Sequence, residues 1–364
     1  MKMVRRILIL LVVLALPAGA LGETITFQDF SADSEAEYIN LEGMWKVNRW
    51  SDFYEFLEKF PNLKKVDMFD ILVYNNKADE IHERFPDIEF GMTMRFDEHT
   101  LRTDDTAFST LHGYYPEWHS CAQMHIVKYC KNLYALDLGH NEFDDLSFLY
   151  DMPQLRVLII AAGNAKDITP IGSLKHLEYL EIFNNSIEDI SCLKDMPYLM
   201  DLNIVQNLID DIEPLKELKS LKRLWIFTHS RRSPGPESEE VMAELQKALP
   251  NCYIDGVSTS TAGGWREHPH YDVIYRMFRT RVYEPFADSP PENIPEGFAP
   301  HTEEEEATEP AAESPSSAQE TETLTAAQTR EKPFAVLATE MPPEAQTSET
   351  PSPSQATSSP EPSK

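Results

Sequence analysis

Residues 177–193 read LEYLEIFNNSIEDISCL and residues 199–215 read LMDLNIVQNLIDDIEPL, and the two stretches match column by column at a spacing of 22 residues (177 to 199). Working outward, the same spacing holds Leu133, Leu155, Leu177, Leu199 and Leu221 in one column and Leu136, Leu158, Leu180, Leu202 and Leu224 in the next. A third column carries Leu138, Ile160, Ile182, Ile204 and Ile226, and a fourth carries Asn141, Asn185 and Asn207. Further along stand Leu146, Ile168, Ile190 and Ile212, then Leu149, Ile171, Leu193 and Leu215. A period kept without drift marks a stacked architecture. One unit cannot bury its apolar residues alone, and its neighbours supply the missing wall.

Each unit opens with LxL alternation, which predicts a short strand whose leucines point into the core. The asparagine stands where the strand turns away, and its side chain can bond to nearby backbone and tolerate turn geometry. The pattern LxxLxLxxNxIxDIxxL resembles the leucine-rich-repeat family, in the short form of bacterial internalin-like proteins. The resemblance implies an α/β solenoid: a horseshoe with short parallel strands on the concave face, a helical or irregular convex side, and a role in binding. Gly163 departs from the asparagine column in the second copy, with Asn164 displaced by one. His229 takes that column in the fifth copy, and THSRRSPGPESEE (228–240) then breaks the period. Local distortion of the ladder is expected at both places.

Weaker copies flank the regular block of residues 131–232. FYEFLEKFPNLKKVDMF (53–69) and ADEIHERFPDIEFGMTMRF (78–96) each read as a helix followed by a strand, and VMAELQKALPNCYID (241–255) repeats that order downstream. The solenoid is thus expected from about Tyr38 to Tyr283, with an N-terminal cap and irregular repeats over 23–130 and a closing repeat over 233–287. Phe90, Met92, Met94 and Phe96 alternate while Gly91 and Thr93 take the leucine-like places, which calls for a bulge or a shifted register. Residues 97–120 read as an insertion with no clear period. GGWREHPHYDVIYRMF (263–278) predicts an amphipathic helix of about two turns, with Trp265, Tyr271, Ile274, Met277 and Phe278 placed to cover the open end of the core.

The termini set the compartment. Lys2, Arg5 and Arg6 precede an apolar run from Ile7 to Leu16 and then Ala18-Gly19-Ala20 and Ala20-Leu21-Gly22, so residues 1–22 read as a secretory signal peptide cleaved after Ala20 or Gly22. The run is short for a membrane span, although an uncleaved anchor is the competing reading. The mature protein is expected to be secreted or held at the bacterial cell envelope, with no transmembrane helix. From Asp288 the composition turns to Pro, Ser, Thr, Glu and Ala, and residues 288–364 hold sixteen acidic against three basic side chains. Such a tail buries too little apolar surface to offset chain entropy and is expected to be disordered. The whole chain carries a formal charge of −29, which excludes nucleic acid as a partner because a phosphate backbone needs a basic footprint.

Four cysteines, Cys121, Cys130, Cys192 and Cys252, do not make a disulfide scaffold; Cys121 and Cys130 read as lying on one helix about 13 Å apart, beyond bridging distance. Asp144-Asp145 and Asp210-Asp211 fall in turns of the repeat, where aspartate favours turn geometry. His99, His112, His119 and His125 cluster near Cys121 and Asp104-Asp105, and His268 and His270 sit in the closure, but neither group has zinc-ligand spacing. No metal, cofactor or catalytic residue is assigned. A metal-dependent hydrolase with its site in 97–125 and a structural envelope protein acting through its tail are the alternatives. The sharpest candidate is a stripe between the inward leucines: Tyr179, Phe183, Val205, Arg223, Trp225 and Phe227. Contiguous aromatic residues on solvent-facing strand positions mark a contact surface for a protein or peptide. The competing reading is that the insertion or the 230–237 loop folds over the stripe and buries it.

Overall fold

The computed structural model describes residues 22–96, 99–110, 121–227, 238–261 and 263–300; the segment read as a signal peptide and the tail beyond Pro300 lie outside them. All described residues belong to one compact unit, Met1–Glu309. The N-terminal part opens with a hairpin of β1 (Thr24–Phe27) and β2 (Phe30–Asp33). Next come β3 (Tyr38–Asn40), α1 (Trp50–Leu57), β4 (Lys65–Tyr74), α2 (Asn75–Arg84), β5 (Glu89–Phe96) and β6 (His99–Arg102). The regular part holds β7 (Ala107–Ser109), α3 (Cys121–Met124), β8 (Ala135–Asp137), β9 (Val157–Ile159), β10 (Tyr179–Glu181), β11 (Asp201–Asn203) and β12 (Arg223–Trp225). Helix α4 (Glu239–Ala248), β13 (Tyr253–Asp255) and α5 (Pro269–Thr280) complete the order.

Strands β7 to β13 form one parallel sheet in sequence order, and β8 to β12 pair residue for residue at the 22-residue spacing. This is the ladder of a leucine-rich-repeat solenoid. Its inward leucines, Leu136, Leu158, Leu180, Leu202 and Leu224, are fully buried, each contributing roughly 2 kcal/mol of apolar burial. Opposite the strands, a 3-10 turn closes each coil at Ser147–Asp151, Thr169–Ser173, Ser191–Lys194 and Glu213–Glu217. Asp145, Asp167, Asp189 and Asp211 open those turns by accepting the backbone N–H two residues on, at 2.8, 2.9, 2.7 and 3.0 Å. The aspartates are turn caps, as the sequence suggested.

The asparagine column satisfies backbone between coils. Asn207 Nδ2 donates to the carbonyls of Ile182 and Ile204, both at 2.9 Å, and its Oδ1 accepts the Ile187 N–H at 3.2 Å. Asn185 does the same one coil earlier, to Ile160 and from Ala165. At Gly163 the strand ladder is not distorted: β9 pairs in register with both neighbours. Asn164 takes over the acceptor role, receiving the Phe143 N–H at 2.6 Å. A Cβ on Gly163 would meet the Asn141 carbonyl at 2.6 Å and the Phe143 ring at 2.8 Å, so the close approach requires glycine. His229 lies outside the described residues.

Three expectations need correction. The solenoid is not one continuous ladder: β3, β4, β5 and β6 make a separate four-stranded sheet, which β6 ends by pairing antiparallel to β5. And residues 97–120 are not wholly an insertion, because β7 lies inside them and pairs parallel with β8, Phe108 opposite Leu136. The spacing there is 28 residues (108 to 136) with phenylalanine in place of leucine, which hid the strand. The irregularity near Gly91 is a bulge in β4: Met68 pairs with Met92 but Leu72 with Thr93, which leaves Phe69, Asp70 and Ile71 unmatched. Cys130, Cys192 and Cys252 are free thiols, the first and last buried. Cys121–Met124 is a single α-turn followed by a 3-10 turn over His125–Tyr129 rather than one long helix.

Because Asn207 is fully buried, replacing it with alanine strands several backbone groups. Asn207→Ala is expected to lower stability by about 2–4 kcal/mol in equilibrium urea unfolding. The exposed Glu188→Ala should change it by less than about 0.5 kcal/mol.

Candidate functional site

The face of the seven-stranded sheet turned away from the leucine core is set by register. Ala135, Val157, Tyr179, Asp201 and Arg223 stand in one row, and Asp137, Ile159, Glu181, Asn203 and Trp225 in the next. These rows are buried, not open. Trp265, Ile274, Met277, Phe278, Tyr283 and Phe286 form a second apolar cluster with Val157, Tyr179, Val205 and Trp225. The predicted helix is present as α5, three turns rather than two, but it covers this outer face rather than the open end of the core. Among the described residues the cover is this C-terminal segment; residues 111–120 of the insertion and the 230–237 loop lie outside them.

The fate of the predicted stripe follows. Tyr179, Val205 and Trp225 are at most 1% exposed and Arg223 is 6% exposed, so none of them is free surface while the C-terminal segment is in place. Phe183 and Phe227 are half-buried and pack against the same cluster. The stripe was apolar because the chain itself covers it.

Polar groups tie the cover down along its whole length. Trp265 donates its indole N–H to Tyr179 Oη at 2.7 Å and Glu181 Oε2 at 2.9 Å, and the Arg223 guanidinium lies 4.5 Å from its ring. Arg223 Nε donates to Asp201 Oδ1 at 2.7 Å. His270 is held between two carboxylates, Nδ1 on Asp201 and Nε2 on Asp288 at 2.7 Å, and Lys222 pairs with the other oxygen of Asp288 at 2.7 Å. Arg223, Asp201, His270, Asp288 and Lys222 therefore form a chain of alternating charge. Beyond it, Asn293 and Ser289 bond Glu178, Asn293 Oδ1 meets His176, and Arg156 donates to the Asn293 carbonyl. At the far end the Tyr283 N–H reaches Thr106 Oγ1 at 2.7 Å. The boundary drawn at Asp288 thus falls inside a packed segment that continues to Phe298.

Burial sets the protonation of this interface. Asp137 is pushed up to about 7, chiefly by burial against hydrogen bonds from Gly139 and Ser109 that act the other way. Burial also raises Glu178 and Glu181. Burial lowers His268 to about 4. For His270 burial also disfavours the cation, but the bonds to Asp201 and Asp288 outweigh it and the ring is held protonated above its ordinary value. Geometry agrees, since both ring nitrogens must donate to face two carboxylates.

The Asp201, His268 and His270 ligand atoms lie within 4.8 Å of one another, the spacing of a metal site. Those groups are already committed: His270 spends both nitrogens on carboxylates, His268 Nδ1 accepts the His270 N–H at 3.2 Å, and Arg223 brings a fixed cation to Asp201. The donor set suits a protonated histidine better than a metal ion. In the 97–125 region, His125 bonds Asp79, Asp104 pairs with Arg102, and Asp105 with Arg281. His112 and His119 lie outside the described residues. Burial raises the thiols of Cys192 and Cys252 to about 11 and about 12, which leaves them poor nucleophiles.

The class is a solenoid of short leucine-rich repeats, defined by its own 22-residue ladder. Among solved structures the chain is similar to an internalin from Listeria monocytogenes at 19% identity, covering 55% of this chain and 62% of that one, with a TM-score of 0.36. It is similar to internalin C2 of the same organism at 18% identity, covering 55% of this chain and 74% of that one, with a TM-score of 0.31. The leucine-rich-repeat ectodomain of a plant membrane receptor kinase from Arabidopsis thaliana matches at 13% identity over 48% of this chain and 19% of that one, with a TM-score of 0.29. No protein-family model and no curated protein matches the sequence. No helix among the described residues is long and apolar enough to cross a membrane.

Sequence reading missed Arg156, Glu178, Asp288 and Asn293, whose partners lie from 18 to 137 residues away in the chain. The available signal was charge in rows that should have faced solvent. Since Trp265 is fully buried, Trp265→Ala is expected to cost about 3–5 kcal/mol in urea unfolding. Trp45→Ala, at a site 75% exposed, should cost less than about 0.5 kcal/mol. Equal midpoints for the two variants would contradict the seating of the closure.

Proposed function

We propose that this chain is an exported recognition protein, secreted or held at the cell envelope, that binds a protein or peptide and performs no catalysis. What supports a binding role is a patch on the N-terminal part. Trp45 is 75% exposed, with Tyr74 at 55% and Leu72 at 37%. Strand β4 alternates, burying Ile71 and Val73 and presenting Leu72 and Tyr74 outward. Outward strand positions are normally polar, so apolar side chains there call for a partner. Between Trp45 and Tyr74 lies a groove of about 400 Å³, with Val47, Trp50 and Ile71 among its lining residues, together with Lys46 and with Lys77, which is paired with Glu80. Exposed tryptophan and tyrosine beside a groove are the residue types that carry most binding energy at interfaces.

A second reading keeps the concave face as the contact surface, with Tyr179, Phe183, Val205, Arg223, Trp225 and Phe227 as its residues. It requires residues 265–298 to be displaced. The favouring observation is that Trp265 already occupies that face as an aromatic guest, bound at its N–H by Tyr179 and Glu181. A structural role through the tail concerns residues beyond Pro300, which lie outside those described.

The test is affinity capture with the full mature chain, identification of the bound protein, and titration of that protein against variants. Trp45→Ala with Tyr74→Ala is expected to weaken binding by about 30-fold or more, the effect of losing about 2 kcal/mol at a hot spot, with the unfolding midpoint unchanged. Unaltered affinity in that variant, with loss in Phe183→Ala/Phe227→Ala, would move the site to the concave face.

A further inference from the structure

We propose that residues 263–300 are a proton-latched lid, in which the charge chain Arg223–Asp201–His270–Asp288–Lys222 holds the segment closed while His270 is protonated and releases it when that proton is lost. The released state exposes Tyr179, Arg223 and Trp225.

The latch rests first on geometry. His270 is 5% exposed, its ring stacks 4.2 Å from Phe286, and it bridges two structures that are otherwise separate in sequence: Asp201 on β11 and Asp288 on the irregular segment that returns after α5. A neutral imidazole has one N–H and can serve only one of these carboxylates. Losing the proton therefore breaks one bond and leaves a carboxylate facing a lone pair. The lid can lift without unthreading the fold, because Gly263 and Gly264 join it to β13 and adopt φ of +71° and +97°. Closure also carries an internal cost. Arg223 Nη2 and Asn203 Nδ2 are buried with no hydrogen-bond partner among the described residues, and opening returns both to water.

Among the described residues, the charged groups facing His270 come from four places. From β11 comes Asp201, from β12 Arg223 and Lys222, from the start of α5 His268, and from the returning segment Asp288. Closing raises the proton affinity of His270, so its contribution to closure is complete below the ordinary value of 6.5 and fades as pH rises through the closed-state value. Asp137, near 7 when covered against 3.8 ordinarily, acts in the same sense between those two values, where opening lets it ionise, and adds nothing further above 7. Glu178 and Glu181, raised by burial, act in the same direction from their ordinary 4.5 upward. His268 opposes it, but only as pH falls from 6.5 toward 4, where closure denies it a proton. Asp201 and Asp288 are held below the carboxylate range and stay charged throughout. Above pH 6.5 the balance is one-sided: opening releases protons, so alkalinity opens the lid.

Hydrogen exchange of the full mature chain, read by mass spectrometry and corrected for intrinsic rates, tests this from pH 6 to pH 9. Peptides covering 265–298 are expected to lose protection by about an order of magnitude, while peptides covering 177–193 hold theirs. His270→Gln should exchange fast at pH 6 and lose most of the pH dependence. Asp288→Asn, at a half-exposed site that leaves the solenoid intact, should shift the opening to lower pH. His268→Asn should keep the alkaline step. A lid whose corrected exchange is flat with pH, or whose dependence survives in both His270→Gln and Asp288→Asn, would overturn the latch without touching the binding role assigned to Trp45 and Tyr74.

Discussion

Each strand of the regular ladder is three residues long, and its inward leucine is buried only if the next coil stacks on it in register. That stacking is the interaction on which the rest of the molecule depends. It fixes the 22-residue spacing, brings Asn185 and Asn207 within reach of carbonyls in the coil before, and places Asp145, Asp167, Asp189 and Asp211 one above another as turn caps. His140, Ala162, Asn184 and Gln206 repeat a left-handed backbone at the same spacing, a strained choice for a non-glycine residue that tertiary stacking imposes.

A ladder of this kind has a second face, and its composition is the more revealing one. Tyr179, Asp201, Arg223, Glu181 and Trp225 would be an unusual set to leave in water together. The chain folds its own C-terminal segment over them, placing Trp265 and α5 against the aromatics and pairing His270, Ser289 and Asn293 with the charges. Burying charge is costly unless it is paired and hydrogen-bonded. The alternating order from Arg223 to Lys222 meets that condition only with His270 protonated. The same segment is therefore both a structural cover and the carrier of a buried histidine whose bonds require its proton.

Exposure, not residue type, separates the surfaces that can act from those that cannot. The stripe of Tyr179, Val205 and Trp225 has the composition of a contact surface and serves as an internal one. Trp45, Leu72 and Tyr74 have the same composition and remain in solvent, which is why recognition is assigned to them first and to the covered face only through an opened lid.

By itself the sequence determined the solenoid, its parallel strands, the turn role of the aspartates and the presence of a tryptophan-containing closure. Those features follow from spacing, and spacing is local. It also showed which outer rows carry aromatic and charged residues. Whether those rows face water was decided only by tertiary structure, because the covering residues lie 40 to 140 positions downstream and carry no period. Asp201 meets His270, Glu178 meets Asn293, and Arg156 meets the Asn293 carbonyl through a reversal of the chain that no pattern announces. The strand at Ala107–Ser109 escaped for the opposite reason: it belongs to the ladder, but its spacing of 28 and its phenylalanine broke the period through which the others were found.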